Sequence, residues 1–147
     1  DEGVVTRKRR VVRHGEVQGY FLSSYSARKL GMQTTGHAGG SQNLFMTSRL
    51  TDPKDNLKAM LKKLGTGLFV TELMGQGVNY VTGDYSRGAA GYWVENGVIQ
   101  YPVHEITIAG HLGEMFKQIV AIGADAYTYG SKTVGSVLIE RMKVAGH

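Results

Sequence analysis

Two short stretches of the sequence carry side chains that could do chemistry, and the first is His104-Glu105. This pair begins like the helical zinc-protease signature, in which a second histidine follows one turn later so that both rings reach one metal. Here Ile106, Thr107 and Ile108 follow instead, an alternation typical of a strand. Successive side chains of a strand point to opposite faces, so His104 and Glu105 could not share a metal. The spacing favours a structural or surface histidine.

The second stretch is Asp84-Tyr85-Ser86-Arg87, which brings a carboxylate, two hydroxyls and a guanidinium together between Gly83 and Gly88. One interpretation is a turn capped by the carboxylate and the serine hydroxyl, with Arg87 in water. The other is a loop that forms a lip and grips an extended ligand, with backbone groups left bare by the glycines. Both interpretations predict a loop between the two glycines.

Other catalytic signatures are absent from the sequence. Gly65-Thr66-Gly67 lacks the third glycine of a dinucleotide fingerprint and opens a strand rather than a helix. No phosphate loop ends in Gly-Lys-Ser/Thr, and no serine has the surroundings of a nucleophile elbow. The chain has no cysteine, which excludes disulfides and thiolate zinc ligands. We therefore expect no catalytic residue and no metal site in this chain.

The charge of the chain is basic, with 17 Lys and Arg against 12 Asp and Glu and a formal net charge of +5. Part of the excess lies in Arg7-Lys8-Arg9-Arg10, which could contact phosphates. In a strand, however, these side chains would alternate between two faces, and charges on an edge strand discourage edge-to-edge association. The run therefore favours a structural role over nucleic-acid binding. No apolar run approaches the roughly 20 residues of a membrane span.

The glycine-rich stretch from Gly65 to Gly110 organises the predicted fold, and Asn96-Gly97 lies at its centre. A type I′ turn needs positive φ at both central residues, which Asn and Gly adopt at the least steric cost. Pro102 cannot donate to a sheet ladder and predicts an edge or a bulge. The predicted hairpin pairs Glu95 with Val98, Val94 with Ile99, Trp93 with Gln100, and Tyr92 with Tyr101.

The remaining patterns predict three helices, of which the last two are amphipathic, among many strands. The helices are expected at Ser23–Leu30, at 52–64 with Asp52 as N-cap and Pro53 at the first helical position, and from Leu112 through Val120 with Gly123 as the stop. Strands are expected at Val4–Val12, Glu16–Leu22, Leu44–Leu50, Leu68–Leu73, Tyr80–Thr82, Gly91–Glu95, Val98–Val103, Glu105–Ala109 and Ser136–Val144, with a turn at His14-Gly15 and a loop at Tyr127–Thr133. The expected class is α+β and β-rich: an antiparallel sheet, partial barrel or sandwich with two amphipathic helices in one domain, residues 1–147.

Three stretches together carry a resemblance to a known family. The first is GTGLFVTELMGQGVNYVTGDYSRGAAGYWVENGVIQYPVHEITIAG, from Gly65 to Gly110. The loop GHAGGSQNL, residues 36–44, and the closing segment from Gly135 to Gly146 extend it over nearly the whole chain. In these stretches the chain resembles the C-terminal part of the TldD/PmbA family, on the PmbA (TldE) side. The resemblance implies the C-terminal domain of a longer protein whose N-terminal half is absent from this sequence.

The resemblance also implies a function and partners. The family implies a heteromeric bacterial peptidase of the cytoplasm that matures microcin B17 and degrades the antitoxin CcdA, and an older description of it is modulator of DNA gyrase. In TldD subunits, zinc is held by a helical His-Glu-x-x-x-His motif and a cysteine of the C-terminal domain. This chain has no cysteine, and its late loop reads Ala126-Tyr127-Thr128-Tyr129-Gly130. We therefore expect no cofactor in this chain, zinc in a TldD-like partner, and a heterodimer with that subunit or a homodimer.

A glycine-rich β domain can bind an extended peptide through backbone hydrogen bonds, with alternate side chains entering pockets. The predicted function is that of a non-catalytic subunit that shapes a tunnel for unfolded peptides. Two alternatives remain open: a metallopeptidase active by itself with its metal in the absent half, and a gyrase-associated or nucleic-acid-associated modulator. The candidate peptide-binding residues are Thr71, Glu72, Met74, Gly75, Asp84, Tyr85 and His104.

Overall fold

The computed structural model describes residues 2–146, whose contacts divide the chain into two compact units. The first comprises the chain up to Leu44 together with Tyr129–Lys132, and the second comprises Phe45–Thr128 and the chain from Thr133 onward. In chain order the elements are β1 (Val12–Arg13), β2 (Glu16–Val17), α1 (Ser24–Lys29), β3 (Leu44–Phe45), α2 (Leu57–Leu64), β4 (Gly67–Met74), β5 (Asp84–Glu95), β6 (Val98–His111), α3 (Leu112–Lys117), β7 (Ile119–Ile122), β8 (Tyr127–Tyr129), β9 (Lys132–Val134), β10 (Val137–Ile139) and β11 (Lys143–Ala145).

The first unit contains a short hairpin and one helix. The predicted pair of Arg13 with Glu16 is confirmed, with positive φ at both turn residues, 54° at His14 and 83° at Gly15. Helix α1 is also confirmed. Its N-cap Ser23 accepts a hydrogen bond from the backbone N–H of Ser26, and the Ser26 side chain accepts one from the Ser23 N–H, so the helix begins with a capping box.

The long strands predicted on either side of this hairpin are wrong, because only two residues pair in each of β1 and β2. The basic run from Arg7 to Arg10 precedes β1, and Arg9 differs from the other three residues because it is half-buried. The Arg9 guanidinium lies 5.1 Å from the centre of the Phe21 ring and donates a hydrogen bond to the Tyr20 carbonyl. Arg7, Lys8 and Arg10 remain exposed.

The second unit is built on a four-stranded antiparallel sheet in the order β11-β6-β5-β4. A small core on one face contains Ala89, Ile106 and Ile108, with further side chains packed against it. Strands β7 and β10 form a separate antiparallel pair. The predicted β-rich α+β class is confirmed, with open antiparallel sheets and no closed barrel among residues 2–146.

The central hairpin has the predicted turn, with φ of 51° at Asn96 and 75° at Gly97. The two predicted pairs next to the turn are confirmed. The two farther pairs are wrong, because Trp93 lies opposite Tyr101 and Tyr92 opposite Pro102. Gln100 is the extra residue of a β-bulge that shifts the register by one. As predicted, Pro102 lies where the outer edge of β6 has no partner strand among residues 2–146.

Strand β5 is flanked by bulges on both sides at one level. Val70 and Glu72 of β4 pair with Gly91 and Ala90, which leaves Thr71 as the extra residue. On the other side, Val103 and Ile106 of β6 pair with Gly91 and Ala89, so His104 and Glu105 together lie opposite Ala90. Glu105 has a φ of 57°, the left-handed conformation that one class of bulge uses. Both neighbours of β5 therefore bend around Ala90.

Helix α2 packs against Gly67 at the start of β4 and against Gly123 after β7. A Cβ atom at Gly67 would lie 2.9 Å from Cδ1 of Leu64, and one at Gly123 would lie 3.0 Å from Cγ of Met60, which is buried. The helix ends at Gly65 as predicted, but its N-cap is Asn56 rather than Asp52. Asn56 Oδ1 accepts the N–H of Ala59, whereas Asp52 caps the turn before the helix.

Several other expected elements differ in the structure. The amphipathic helix predicted from Leu112 to Val120 ends at Lys117, because Ile119–Ile122 pairs with β10. Tyr80–Thr82 forms a turn rather than a strand. Only Leu44–Phe45 of the strand Leu44–Leu50 is paired, the strand Ser136–Val144 is divided into β10 and β11, and the loop Tyr127–Thr133 contains the hairpin strands β8 and β9.

Candidate functional site

Strand β4 presents a free outer edge over eight residues. It is the last strand of its sheet, and no strand of residues 2–146 pairs with its outer side. Its second half, Thr71–Met74, is exposed. An exposed edge offers unpaired backbone N–H and C=O groups, which can pair with a second extended chain.

Three of the predicted residues flank Ala90 at the double bulge. Thr71 and Glu72 lie on the β4 side and His104 lies on the β6 side, all three exposed. Since neighbouring strands are about 4.8 Å apart, roughly 10 Å of sheet separates the two groups. These side chains line the same stretch of sheet without forming a cluster that could hold a metal.

Two more of the predicted residues end β4. Met74 pairs with Gly88, and a Cβ atom at Gly88 would lie 3.4 Å from that of Met74. Gly75 follows with a φ of 74°, and a methyl group on it would have no heavy atom within 4 Å. By continuation of the register, Gly75 lies opposite Arg87 at the end of the strand.

Arg87 is half-buried, which corrects the interpretation that it sits in water. It pairs with the buried Ile108 and therefore faces the side of the sheet that carries the core. Its Nη2 donates a long hydrogen bond of 3.4 Å to the Leu73 carbonyl oxygen, and its Nε is buried without a partner. Within residues 2–146 the ion pairs join Lys63 to Asp55 and Lys117 to Glu114, so Arg87 has no carboxylate partner there.

Asp84 and Tyr85 lie in a strand, which corrects the expectation of a glycine-bounded loop from Gly83 to Gly88. They line a groove of about 560 Å³ between β5, β6 and α3. Tyr85 is half-buried and packs against the core, whereas the Asp84 carboxylate accepts a hydrogen bond of 2.6 Å from the Thr82 hydroxyl. Gly110 forms part of the lining, with Met115 Sδ 3.1 Å from where its Cβ would be.

The loop between β4 and β5 is held by a network of hydrogen bonds. Asn79 Oδ1 accepts the N–H groups of Val81 and Thr82, and His111 Nε2 lies 2.8 Å from the Thr82 carbonyl oxygen. The tip of this ordered loop points outward, with Tyr80 86% exposed and Val81 95% exposed. Two large apolar side chains on a fixed loop are typical of an interface anchor.

The structure thus separates the predicted residues into three places. Thr71, Glu72 and His104 surround Ala90, Met74 and Gly75 end β4, and Asp84 and Tyr85 lie in the groove. Asp84 is six residues from Ala90 along β5, or roughly 20 Å at the rise of a strand. Sequence reasoning missed Arg87, although its place one strand period after Tyr85 was a signal that it shares the buried face.

The described part of the chain does not offer a metal centre. No group of three His, Cys, Asp or Glu side chains among residues 2–146 could hold an ion. None of the helices in the same range is long and apolar enough to cross a membrane. What the site offers chemically is backbone hydrogen bonding along β4 and one unpaired guanidinium at its end.

Residues 1–146 match the PmbA/TldA metallopeptidase C-terminal domain. The chain is 55% identical over 145 residues to Metalloprotease PmbA of Escherichia coli O157:H7 and 53% identical over 146 residues to the Metalloprotease PmbA homolog of Haemophilus influenzae. These alignments cover 99% of the chain but 31% and 32% of the relatives, so the chain spans about a third of their length. A Metalloprotease TldD homolog of Buchnera aphidicola is 24% identical over 132 residues, which are 85% of the chain and 27% of that relative.

Two solved structures share the fold. A Thermotoga maritima protein described as a modulator of a DNA gyrase superposes with a TM-score of 0.83 at 34% identity, covering 99% of the chain and 34% of that protein. A Bacteroides thetaiotaomicron protein with a similar description gives 0.84 at 30% identity, covering 99% and 32%. The family match and these identities confirm the resemblance to PmbA. The chain therefore belongs to the PmbA/TldD family of metallopeptidases, of which it is a C-terminal domain.

Proposed function

We propose that this chain is part of a non-catalytic subunit in a cytoplasmic zinc metallopeptidase complex of the TldD/PmbA type. In this role it guides unfolded peptides, such as a microcin precursor or an antitoxin, toward zinc held by a TldD-like partner. The observation that carries the proposal is the free outer edge of β4 in a domain of a metallopeptidase family. The chain has no cysteine, and no group of three His, Asp or Glu side chains among residues 2–146 could hold a metal ion.

The edge of β4 supports binding of an extended peptide. A peptide added to a sheet edge gains main-chain hydrogen bonds whatever its sequence, which suits a protease of unfolded substrates. Thr71, Glu72, Met74 and Gly75 would then contact alternate side chains of the peptide, and His104 would lie two strands farther in, on β6. Asp84 and Tyr85, in the groove, would contact a longer substrate or a partner.

The loop tip at Tyr80-Val81 supports association with a second subunit. Large apolar side chains on an ordered loop lose little conformational entropy when a partner covers them. The TldD homolog of Buchnera aphidicola aligns with 85% of this chain, so a TldD-like partner has a comparable domain. We propose a heterodimer with such a subunit, with a homodimer as the form taken without it.

A second candidate function is a gyrase-associated modulator, favoured by the description of the two solved relatives. Arg7, Lys8 and Arg10 are exposed and could contact nucleic-acid phosphates. Binding of that kind weakens steeply with salt. Absence of binding to both DNA and gyrase by the full-length protein at low salt would exclude this function.

The testing experiment is cleavage of casein and of an unfolded peptide by the full-length protein, alone and with a TldD-like subunit, with zinc measured in each. We expect activity only in the mixture and zinc only with the TldD-like subunit. Activity and stoichiometric zinc in the full-length protein alone would instead establish a metallopeptidase active by itself. Tyr80→Ser with Val81→Ser should weaken association of the two subunits without changing the fold.

A further inference from the structure

The structure contains a cation whose partner is missing from the described chain. We propose that Arg87 binds a carboxylate of the peptide that pairs with β4, either its C-terminal carboxylate or an Asp or Glu side chain. This inference rests on the proposed function, since it names the ligand chemistry of the same edge. It is carried by the burial, the unpaired Nε and the position of Arg87.

A half-buried guanidinium without an anion is unfavourable for folding alone. Arginine is always charged, and withdrawing its donors from water without hydrogen-bond partners costs free energy. Here Nε is buried and unpaired, and the bond from Nη2 to the Leu73 oxygen is long at 3.4 Å. A charge held at this cost indicates a ligand that supplies the missing anion.

The glycines around Arg87 fix its stem and leave its end accessible. A Cβ atom at Gly77 would lie 1.4 Å from the Ser86 carbonyl oxygen and 3.3 Å from Cγ of Arg87, so the loop backbone packs directly over the stem. At Gly75 the corresponding space is empty. Nη2 therefore lies beside the β4 backbone near the end of the strand, within 3.4 Å of the Leu73 carbonyl oxygen.

Carboxylate is the ligand chemistry that fits this arrangement. A guanidinium presents planar pairs of donors that match the two oxygens of a carboxylate, and such charge-assisted bonds are about twice as strong as neutral ones. The bond to the Leu73 oxygen places Nη2 beside the backbone of β4. A peptide running along this edge would therefore bring its terminus or an acidic side chain to Arg87 without leaving the strand.

The test measures binding of four fluorescent ten-residue peptides to the full-length protein, alone and with its TldD-like subunit. The peptides share one Thr- and Val-rich sequence and differ in a free or amidated C-terminus and in Glu or Gln at one internal position. We expect at least one carboxylate to raise affinity about tenfold or more over the neutral peptide. Comparison of Glu with Gln tests a side-chain carboxylate, and comparison of the free with the amidated C-terminus tests a terminal one.

Variants separate recognition from folding. Arg87→Gln should reduce the preference to less than about twofold. Arg87→Lys should retain part of it, because lysine keeps the charge but loses the planar pair of donors. Arg49→Gln, which changes an exposed arginine of the same unit, should leave it intact.

The outcomes distinguish this inference from the function on which it rests. Binding of all four peptides with equal affinity, or a preference that survives Arg87→Gln, would overturn the carboxylate site and leave edge binding standing. Failure of every peptide to bind would overturn the edge-binding proposal and the carboxylate site with it. Unchanged hydrogen exchange across β4 and β5 in Arg87→Gln would show that a lost preference is not unfolding.

Discussion

Lys63 in the last turn of α2 donates a hydrogen bond of 2.5 Å to Oδ2 of Asp55, which precedes the helix. Asp55 is buried, at 4% exposure, whereas the Lys63 side chain is 42% exposed. The backbone of Asp55 also accepts a hydrogen bond from the N–H of Ala124. Asp55 therefore joins two segments: its side chain bonds the last turn of α2, and its backbone bonds the segment that follows β7.

We expect Asp55→Asn to lower the local unfolding free energy of α2 by about 1 to 2 kcal/mol. The loss stays at the lower end for a charged hydrogen bond because water screens the exposed lysine. Hydrogen exchange of α2 amides in the full-length protein measures it. A cycle with Lys63→Met should give a coupling of roughly 1 kcal/mol, and strictly additive effects would contradict the pairing.

Gly77→Ala should destabilise the β4–β5 connection by about 2 kcal/mol or more, because the added methyl overlaps the Ser86 carbonyl oxygen. Gly75→Asn is the matched control. Gly75 has positive φ but open space, and asparagine tolerates that conformation. Exchange rates across the loop should rise strongly in the first variant and little in the second. Equal effects would contradict the close packing over Arg87.

His111→Ala should loosen α3 and the loop tip together. His111 Nδ1 accepts the N–H of Gly113, so the N–H at Nε2 donates to the Thr82 carbonyl oxygen. Losing both bonds should cost about 1 to 2 kcal/mol. His111→Asn restores a helix cap but not the contact with Thr82. Protection from hydrogen exchange should then return in α3 alone. Its return in both segments would contradict the assigned bond between His111 and Thr82.

Arg87→Met should leave the stability of the sheet unchanged or raise it by up to about 2 kcal/mol. Methionine keeps much of the packing of the stem and removes a half-buried cation that lacks an anion. Hydrogen exchange across β4 and β5 measures the effect. A loss of more than 1 kcal/mol would mean that the guanidinium stabilises the sheet by itself.

The features that the sequence predicted well are set by neighbouring residues. Asn96-Gly97 supplies two positive φ angles whatever surrounds it, and Gly65 ends α2 for the same reason. The register beyond two pairs was wrong because Gln100 is the extra residue of a bulge, which the simple pairing about the turn does not contain. Pro102 signalled an edge or a bulge nearby but did not locate the extra residue.

Two errors in the helices have different causes. Asp52 has the residue type of an N-cap, but its side chain accepts the N–H of Lys54 in a local turn, and Asn56 caps α2 instead. Ile119–Ile122 continues the helical periodicity of α3, yet its backbone pairs with β10. In the second case a contact with another segment overrides the local pattern.

The candidate site was predicted in part. Thr71, Glu72 and His104 do lie on the two strands that flank Ala90 of β5, as expected from glycine-bounded β structure. Arg87 was missed because its burial depends on the register that places it opposite Ile108. Whether a polar residue in a strand faces water is decided by the count of residues since the last bulge.

Thr71 is the extra residue of the β4 bulge, so it determines which of the following side chains face the core, although its own side chain is exposed. Leu68 and Val70 face the core, and the extra residue lets Leu73 share the side of Ala89 while Glu72 stays outside. A deletion of Thr71 would alter no remaining side chain, yet it would exchange inside for outside in the rest of the strand. We therefore expect natural relatives to keep a residue at this position, while the type of its side chain varies.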